Sequence, residues 1–208
     1  MIEQVLSDVR WLFENRGRHR YESSRKAGVN QLEHALQTAT LAEAACAGDE
    51  LVTAALLHDL GHMMHLDAED FHGVGDLHEY RSLPLLRSGF DESVLGPIKL
   101  HEDAKRLLCT IEPDYHGLLS VDGKRSLSLQ GGPFSVDEAA RFIRTPHARE
   151  AILIRRWDDR ANVRGLATPD LDHFLFVASR CLVDQSIAAV HHAHPREHAL
   201  ATEQRAAA

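Results

Sequence analysis

The sequence predicts an all-α, single-domain fold. Three observations carry that prediction. Apolar residues recur at helical spacing in segment after segment, and no segment shows the strict alternation of a half-buried strand. Most of those segments open on capping residues or are bounded by Gly and Pro. The 208 residues suffice for one substantial core and contain neither an internal repeat nor a dividing linker. Residues 1–188 are assigned to the folded domain and residues 189–208 to a flexible C-terminal tail.

Residues 2–15 read as a helix with Val5, Val9, Leu12 and Phe13 on one side. The stretch 16–28 is polar and basic, with Arg16, Arg18, Arg20, Arg25 and Lys26 around Tyr21 and Glu22. It reads as a loop, either a solvated connector or a lid over an anionic substrate. Asn30 is an N-cap with Glu33 at the capping-box position, and its helix runs to about Ala47. Leu32, Ala35, Leu36, Ala39 and Ala42 give that helix a stripe suited to close packing. Gly48-Asp49 breaks the chain before a second apolar helix, which carries His58 and Asp59. An acidic loop from Asp67 to Asp76 follows.

His78-Glu79 opens a helix that ends by Arg87, and residues 91–109 form the next. Residues 110–134 read as loop-rich and include Ser126, Gln130, Gly131, Gly132 and Pro133. The Gln-Gly-Gly-Pro run is either a plain turn or a set of amides aimed at an anion. Ser135 caps a helix over 136–143, with Glu138 at the box position. A helix over 147–162 carries Arg155, Arg156, Trp157, Asp158 and Asp159, and a last apolar helix spans 170–188. His191, His192, His194 and His198 fall in an Ala-rich tail that reads as frayed.

The formal net charge of −8 argues against a nucleic-acid partner. Cys46, Cys109 and Cys181 are odd in number and widely spaced, which predicts buried free thiols in a reducing compartment. The first residues lack the pattern of a signal peptide, and no apolar run spans a bilayer. A cytoplasmic protein without a membrane partner is expected.

The fifteen His are the first hint of a metal site. The chain turns on the run from Ala54 to His62, where an apolar stretch ends in His58-Asp59 and His62 follows four residues after His58. Neighbours on a helix diverge by about 100°, so His58 and Asp59 serve different coordination positions. His62 is expected on the side of His58, and Gly61 permits close backbone approach. Polar groups in a run that should be buried need a reason to be there. With His34, His78, His101 and Asp158 the candidates come from five helices. Four His and two carboxylates are too many for one catalytic metal and about right for two. Imidazole with carboxylate suits iron, manganese or zinc. Two ions about 3.5–4 Å apart would be bridged by Asp59. Asp158 taken alone is either the last metal carboxylate or half of a structural salt bridge.

From about Val29 to Phe174 the chain resembles the HD-domain superfamily and, within it, the mixed-valent diiron oxygenases of organophosphonate breakdown, the PhnZ-like and TmpB-like branch. The matching pieces are Gln31 to Gln37, His58 to His62, His101 with Ala104-Lys105-Arg106, Ser126-Leu127 with Leu129 to Pro133, and Arg155 to Asp159. The resemblance implies one iron on His34, His58, Asp59 and Asp158 and a second on Asp59, His78 and His101. It implies an Fe(II)/Fe(III) pair, with O2 as co-substrate, that cleaves the C–P bond of a 1-hydroxyphosphonate, of the 2-amino- or 2-trimethylammonio-1-hydroxyethylphosphonate type, to a carboxylic acid and phosphate. His62 and Lys105 would neutralise the phosphonate and act in catalysis. Arg155, Ser126 and Gln130 would add hydrogen bonds. The chain departs from the family's lid, whose Tyr and Glu positions are here Ser24 and Ala27, with Tyr21 and Glu22 out of register. It also has Asn162 where a Lys often follows the Asp pair. Two rival readings are an HD phosphohydrolase acting on a nucleotide or phosphomonoester and a regulator that has lost turnover.

Overall fold

The structure is a computed structural model that describes residues 2–18, 28–64 and 77–183. It is helical, with no strand among the described residues. In chain order the helices are α1 (Ile2–Arg16), α2 (Gln31–Ala44), α3 (Asp49–Leu57), α4 (His78–Arg81) and α5 (Leu83–Leu86), then α6 (Glu92–Ile111), α7 (Tyr115–Leu118), α8 (Val121–Leu129), α9 (Val136–Phe142), α10 (Ala148–Arg160) and α11 (Leu171–Ser179). A 3₁₀ turn spans Leu60–Met63. No helix among the described residues is long and apolar enough to cross a membrane.

α3 is the central element. Val52 to Leu57 are all buried, because α2, α6, α10 and α11 pack around it. A helix apolar on every side forms only in such a position. Val5, Val9, Leu12 and Phe13 of α1 join this core, as the spacing of that segment predicts. A second apolar cluster sits between α6, α9 and α10, around Leu107, Phe142 and Ala151. A third joins Leu108, Tyr115, Leu119 and Leu127. Both predicted capping boxes form. Asn30 accepts from the Glu33 amide at 2.8 Å while Glu33 accepts from the Asn30 amide. Ser135 and Glu138 do the same.

Five expectations are corrected. The helix carrying His58 and Asp59 stops at Leu57, and the chain tightens into the 3₁₀ turn. With three residues per turn, His62 stands over Asp59 and not over His58. The stretch 110–134 is not a plain loop, since α7 and α8 lie in it. α8 is hard to see in the sequence because only Leu127 of it is deeply buried. Its start depends on Ser120, whose side chain accepts from the Gly123 amide at 2.8 Å. Its end is a Schellman motif: the Gly132 amide donates to the Leu127 carbonyl at 2.8 Å and the Gly131 amide to the Ser128 carbonyl at 3.2 Å, with positive φ at both glycines. The last apolar helix ends at Ser179, where Arg180 turns to pair with Asp49. Residues 184–188 of that predicted helix, the tail, the acidic loop and positions 19–27 of the basic stretch, Ser24 and Ala27 among them, lie outside the described residues. Among the cysteines all three are free, but Cys46 is exposed and only Cys181 is buried.

Gly61 carries the junction between the 3₁₀ turn and α4. A Cβ built there would lie 2.0 Å from the carbonyl oxygen of His78. That contact is backbone against packed backbone and cannot relax by a rotamer change. We predict that Gly61→Ala destabilises the fold by about 2 kcal/mol or more. It should also displace His78 and weaken metal uptake. Thermal denaturation with metal titration checks this, and a variant matching the parent in both would refute it.

Candidate metal centre

The helices bring His34, His58, Asp59, His78, His101 and Asp158 into one buried cluster, each less than a tenth exposed. His34 comes from the first turn of α2. Its Nδ1 lies 2.7 Å from the Ala161 carbonyl at the end of α10. Gln37 pairs in both directions with the Val163 backbone, at 2.8 and 3.0 Å. These bonds hold α2 against the end of α10, the helix that carries Asp158. His58 caps α3, with Nδ1 2.9 Å from the Ala55 carbonyl. His101, inside α6, has Nδ1 2.7 Å from the Ile98 carbonyl. A carbonyl only accepts, so the proton in each of these three rings sits on Nδ1. The Nε2 lone pair is thereby left facing the cluster, as in histidines that bind metal. His78 has its Nδ1 3.6 Å from Glu79 Oε2, an electrostatic contact too long to be a hydrogen bond.

Asp59 stands between two sets of imidazoles. Its Oδ2 lies 3.5 Å from His34 Nε2. Its Oδ1 lies 3.2 Å from His78 Nε2, 3.5 Å from His58 Nε2 and 3.7 Å from His101 Nε2. Asp158 Oδ1 is 3.1 Å from His34 Nε2 and 4.0 Å from His58 Nε2. The Nε2 atoms of His78 and His101 face each other at 3.2 Å. Two nitrogens at right angles on one ion, with bonds of about 2.1 Å, are themselves about 3 Å apart. His58 Nε2 is buried and makes no hydrogen bond. An orphaned imidazole lone pair beside two carboxylates fits a cation. The ligand atoms of His34, His58, Asp59 and Asp158 lie within 4.8 Å of one another, and so do those of His78, His101 and Glu102 and those of Asp59, His62 and His78. The donors therefore suit two metal ions with Asp59 between them.

The electrostatics agree. Burial lowers the His58 pKa and takes that of His101 down to about 3, so both rings stay neutral and able to bind metal. Burial opposes charge on Asp59, but the surrounding imidazoles outweigh it and hold the carboxyl well below its ordinary range.

Beside the cluster, four of the five other predicted residues converge on a group that the sequence pattern did not single out. Glu102 is buried, and its carboxylate accepts from Lys105, from Gln130 at 2.6 Å, from Ser126 at 3.3 Å and from Arg155 at 3.2 Å. α8 places Ser126 and Gln130 one turn apart on one face, which a loop would not have done. Arg155 also donates to Asp158 Oδ2 at 2.7 Å and to Asp159, which in turn accepts from the Tyr115 hydroxyl. The one sequence signal for Glu102 is its place on α6, beside His101 and three residues before Lys105. His62 lies at the edge of the cluster. Its ring stacks on His78 at 3.9 Å, and its Nε2 is 3.9 Å from Asp59 Oδ1. Asn162 donates to the Asp158 and Asp159 carbonyls.

Residues 32–162 match the HD domain family model. The chain belongs to the HD-domain family. Within that family it is similar to the hydroxymethylphosphonate dioxygenase of Gimesia maris, with 41% identity over 82% of this chain and 85% of that one. It is also similar to the [1-hydroxy-2-(trimethylamino)ethyl]phosphonate dioxygenase (glycine-betaine-forming) of Leisingera caerulea, with 34% identity over 89% of this chain and 93% of that one. These relatives are oxygenases, and the chain is an HD enzyme of their branch.

The buried imidazoles give metal-free protein a defined pH response. His101 is neutral when folded but titrates near its ordinary value when unfolded, so below about pH 6.5 the unfolded chain binds more protons. Stability is then fully present above that pH and is lost as pH falls toward the folded value. We predict a loss of up to about 1.4 kcal/mol per pH unit for this residue, read from denaturant melts of metal-free protein. Stability that stays flat or rises on acidification through this window would contradict the placement of His101.

Proposed function

We propose that this HD enzyme is a diiron oxygenase that cleaves the C–P bond of a 1-hydroxyphosphonate. One iron would be held by His34, His58, Asp59 and Asp158, the other by Asp59, His78 and His101, working as an Fe(II)/Fe(III) pair. The observation that carries the reading is the single carboxylate between two sets of Nε2 donors, with an anion cradle on its flank. Imidazole and carboxylate donors without thiolate suit iron. The iron pair would supply the activation of O2 and of the carbon bearing the hydroxyl. Overall, R–CH(OH)–PO₃H₂ and O2 give R–COOH and phosphate, so the C–P bond breaks and every oxygen is accounted for.

The chain's own residues would bind and orient the phosphonate. Lys105 and Arg155 neutralise its charge, and Ser126 and Gln130 donate to its oxygens. Hydrogen bonds to a charged group in a buried pocket are the stronger kind. His62, partly exposed at the edge of the cluster, would add positive charge or hold a proton beside the reacting carbon. Ser24 and Ala27 provide no carboxylate to read an amino group. Hydroxymethylphosphonate has no such group and suits that departure, with formate as the product. The relative named for this substrate shares 41% identity with the chain.

The test is oxygen-dependent phosphate release by iron-loaded protein, with hydroxymethylphosphonate and 1-hydroxy-2-(trimethylammonio)ethylphosphonate as substrates. An EPR signal from a coupled Fe(II)/Fe(III) pair, perturbed by the substrate, should accompany turnover. Release of phosphate from phosphomonoesters without O2, and none from phosphonates, would overturn the reading. Asp59→Ala should lose both metal and turnover, and a variant that keeps full activity would end the bridging assignment. Lys105→Ala should raise KM by about tenfold or more, a loss of about 1.4 kcal/mol, while iron content holds. An unchanged KM would place Lys105 outside the substrate pocket.

A further inference from the structure

The cradle is already satisfied by a carboxylate of the chain itself. Glu102 Oε2 accepts from Lys105, Gln130 and Ser126, and Oε1 accepts from Arg155 and lies 3.7 Å from His101 Nε2. Lys105 also donates to Ser126 at 3.1 Å, which closes the network. The donors come from α6, α8 and α10, so their convergence on one carboxylate is not a local helix pairing. Both oxygens are used, and the residue is 6% exposed.

We propose that Glu102 is a resident counter-anion: it satisfies Lys105, Ser126, Gln130 and Arg155 before substrate binds, and an incoming oxyanion takes those donors only by displacing it. The proposal rests on the reading of these four residues as the cradle for the substrate's anionic head group. Carboxylate and phosphonate oxygens accept the same hydrogen bonds, so one stands in for the other. They do not share the site, because like charges at contact distance in a buried pocket repel strongly. The Glu102 carboxylate also lies within 4.8 Å of ring nitrogens of His78 and His101.

The arrangement answers a physical difficulty. Without an anion, the buried Lys105 ammonium would keep only the Ser126 hydroxyl, and Arg155 would lose one of its three carboxylate partners; Glu102 removes that cost. It also sets specificity. An anion held by the cradle alone must compete with a tethered carboxylate, whereas a 1-hydroxyphosphonate would have metal contacts as well. Free phosphate, the reaction product, would be driven out as Glu102 returns. Glu102 is thus a specificity-determining residue that favours ligands bridging cradle and metals.

The experiment titrates inorganic phosphate into metal-loaded parent protein and Glu102→Gln by calorimetry, with metal content measured on the same samples. Glutamine keeps the shape and removes the charge. The expected result is phosphate affinity raised at least about tenfold in Glu102→Gln at unchanged metal content. Adding Lys105→Ala should abolish the gain. Equal or weaker phosphate binding overturns the proposal. So does loss of one metal per chain, which would make Glu102 a ligand. If Glu102→Gln does not fold, the crystal structure of metal-loaded parent protein with phosphate decides. Glu102 displaced from Lys105 supports the proposal, and Glu102 still bonded there with phosphate elsewhere overturns it. Phosphate binding needs no O2 and no turnover. A gain in a protein that leaves phosphonates untouched keeps the displacement and removes the oxygenase reading. Turnover without the gain does the reverse.

Discussion

The burial of carboxylates among imidazoles governs this molecule. Asp59 and Asp158 lie in the middle of a helical core, each less than a tenth exposed. A charge there is expensive unless it is paired, and it is not lightly placed. Every local device around the pair serves to hold lone pairs inward. Three histidines give their Nδ1 protons to backbone carbonyls, and Arg155 takes the second oxygen of Asp158. The arrangement is costly without cations and would become favourable once they entered, which would couple metal binding to folding.

That requirement explains where the helices start and stop. α3 ends at Leu57 so that His58 and Asp59 leave the regular ladder and point into the gap between α2, α6 and α10. The 3₁₀ turn then brings the chain against the carbonyl of His78, an approach that only Gly61 permits. α2 begins at Asn30, one turn before its own ligand, and is tied to the end of α10 by Gln37. The ligands thus come from helix ends as well as helix interiors, and the apolar core behind them keeps those ends in register.

Arg155 joins the candidate metal centre to the polar network around Glu102. One guanidinium reaches Asp158, Asp159 and Glu102. The buried hydroxyl of Tyr115 stays protonated, since burial pushes its pKa up, and it braces Asp159 from the far side. A change of charge in the cradle is therefore felt at a carboxylate of the metal cluster through one side chain.

Much of this is legible in the chain itself. Helical periodicity, two capping boxes and the His-Asp run at the end of an apolar segment are local patterns, and local patterns survive in sequence. The six candidate ligands stand out because an imidazole or carboxylate buried in an apolar run must be paired or hold a cation. Helix α8 is not legible, because its polar sequence is held by one buried Leu, a Ser cap and a Schellman end. The last helix reads too long for the opposite reason, since apolar composition continues past the point where Arg180 finds Asp49. Glu102 does not stand out because a Glu on a helix is ordinarily solvated. By itself the sequence determined the helical class, the caps and which buried side chains could donate to a metal, all set by neighbours within a few residues. Only the tertiary structure decided that four donors from three helices meet one buried carboxylate, because that convergence depends on contacts between residues up to 53 positions apart.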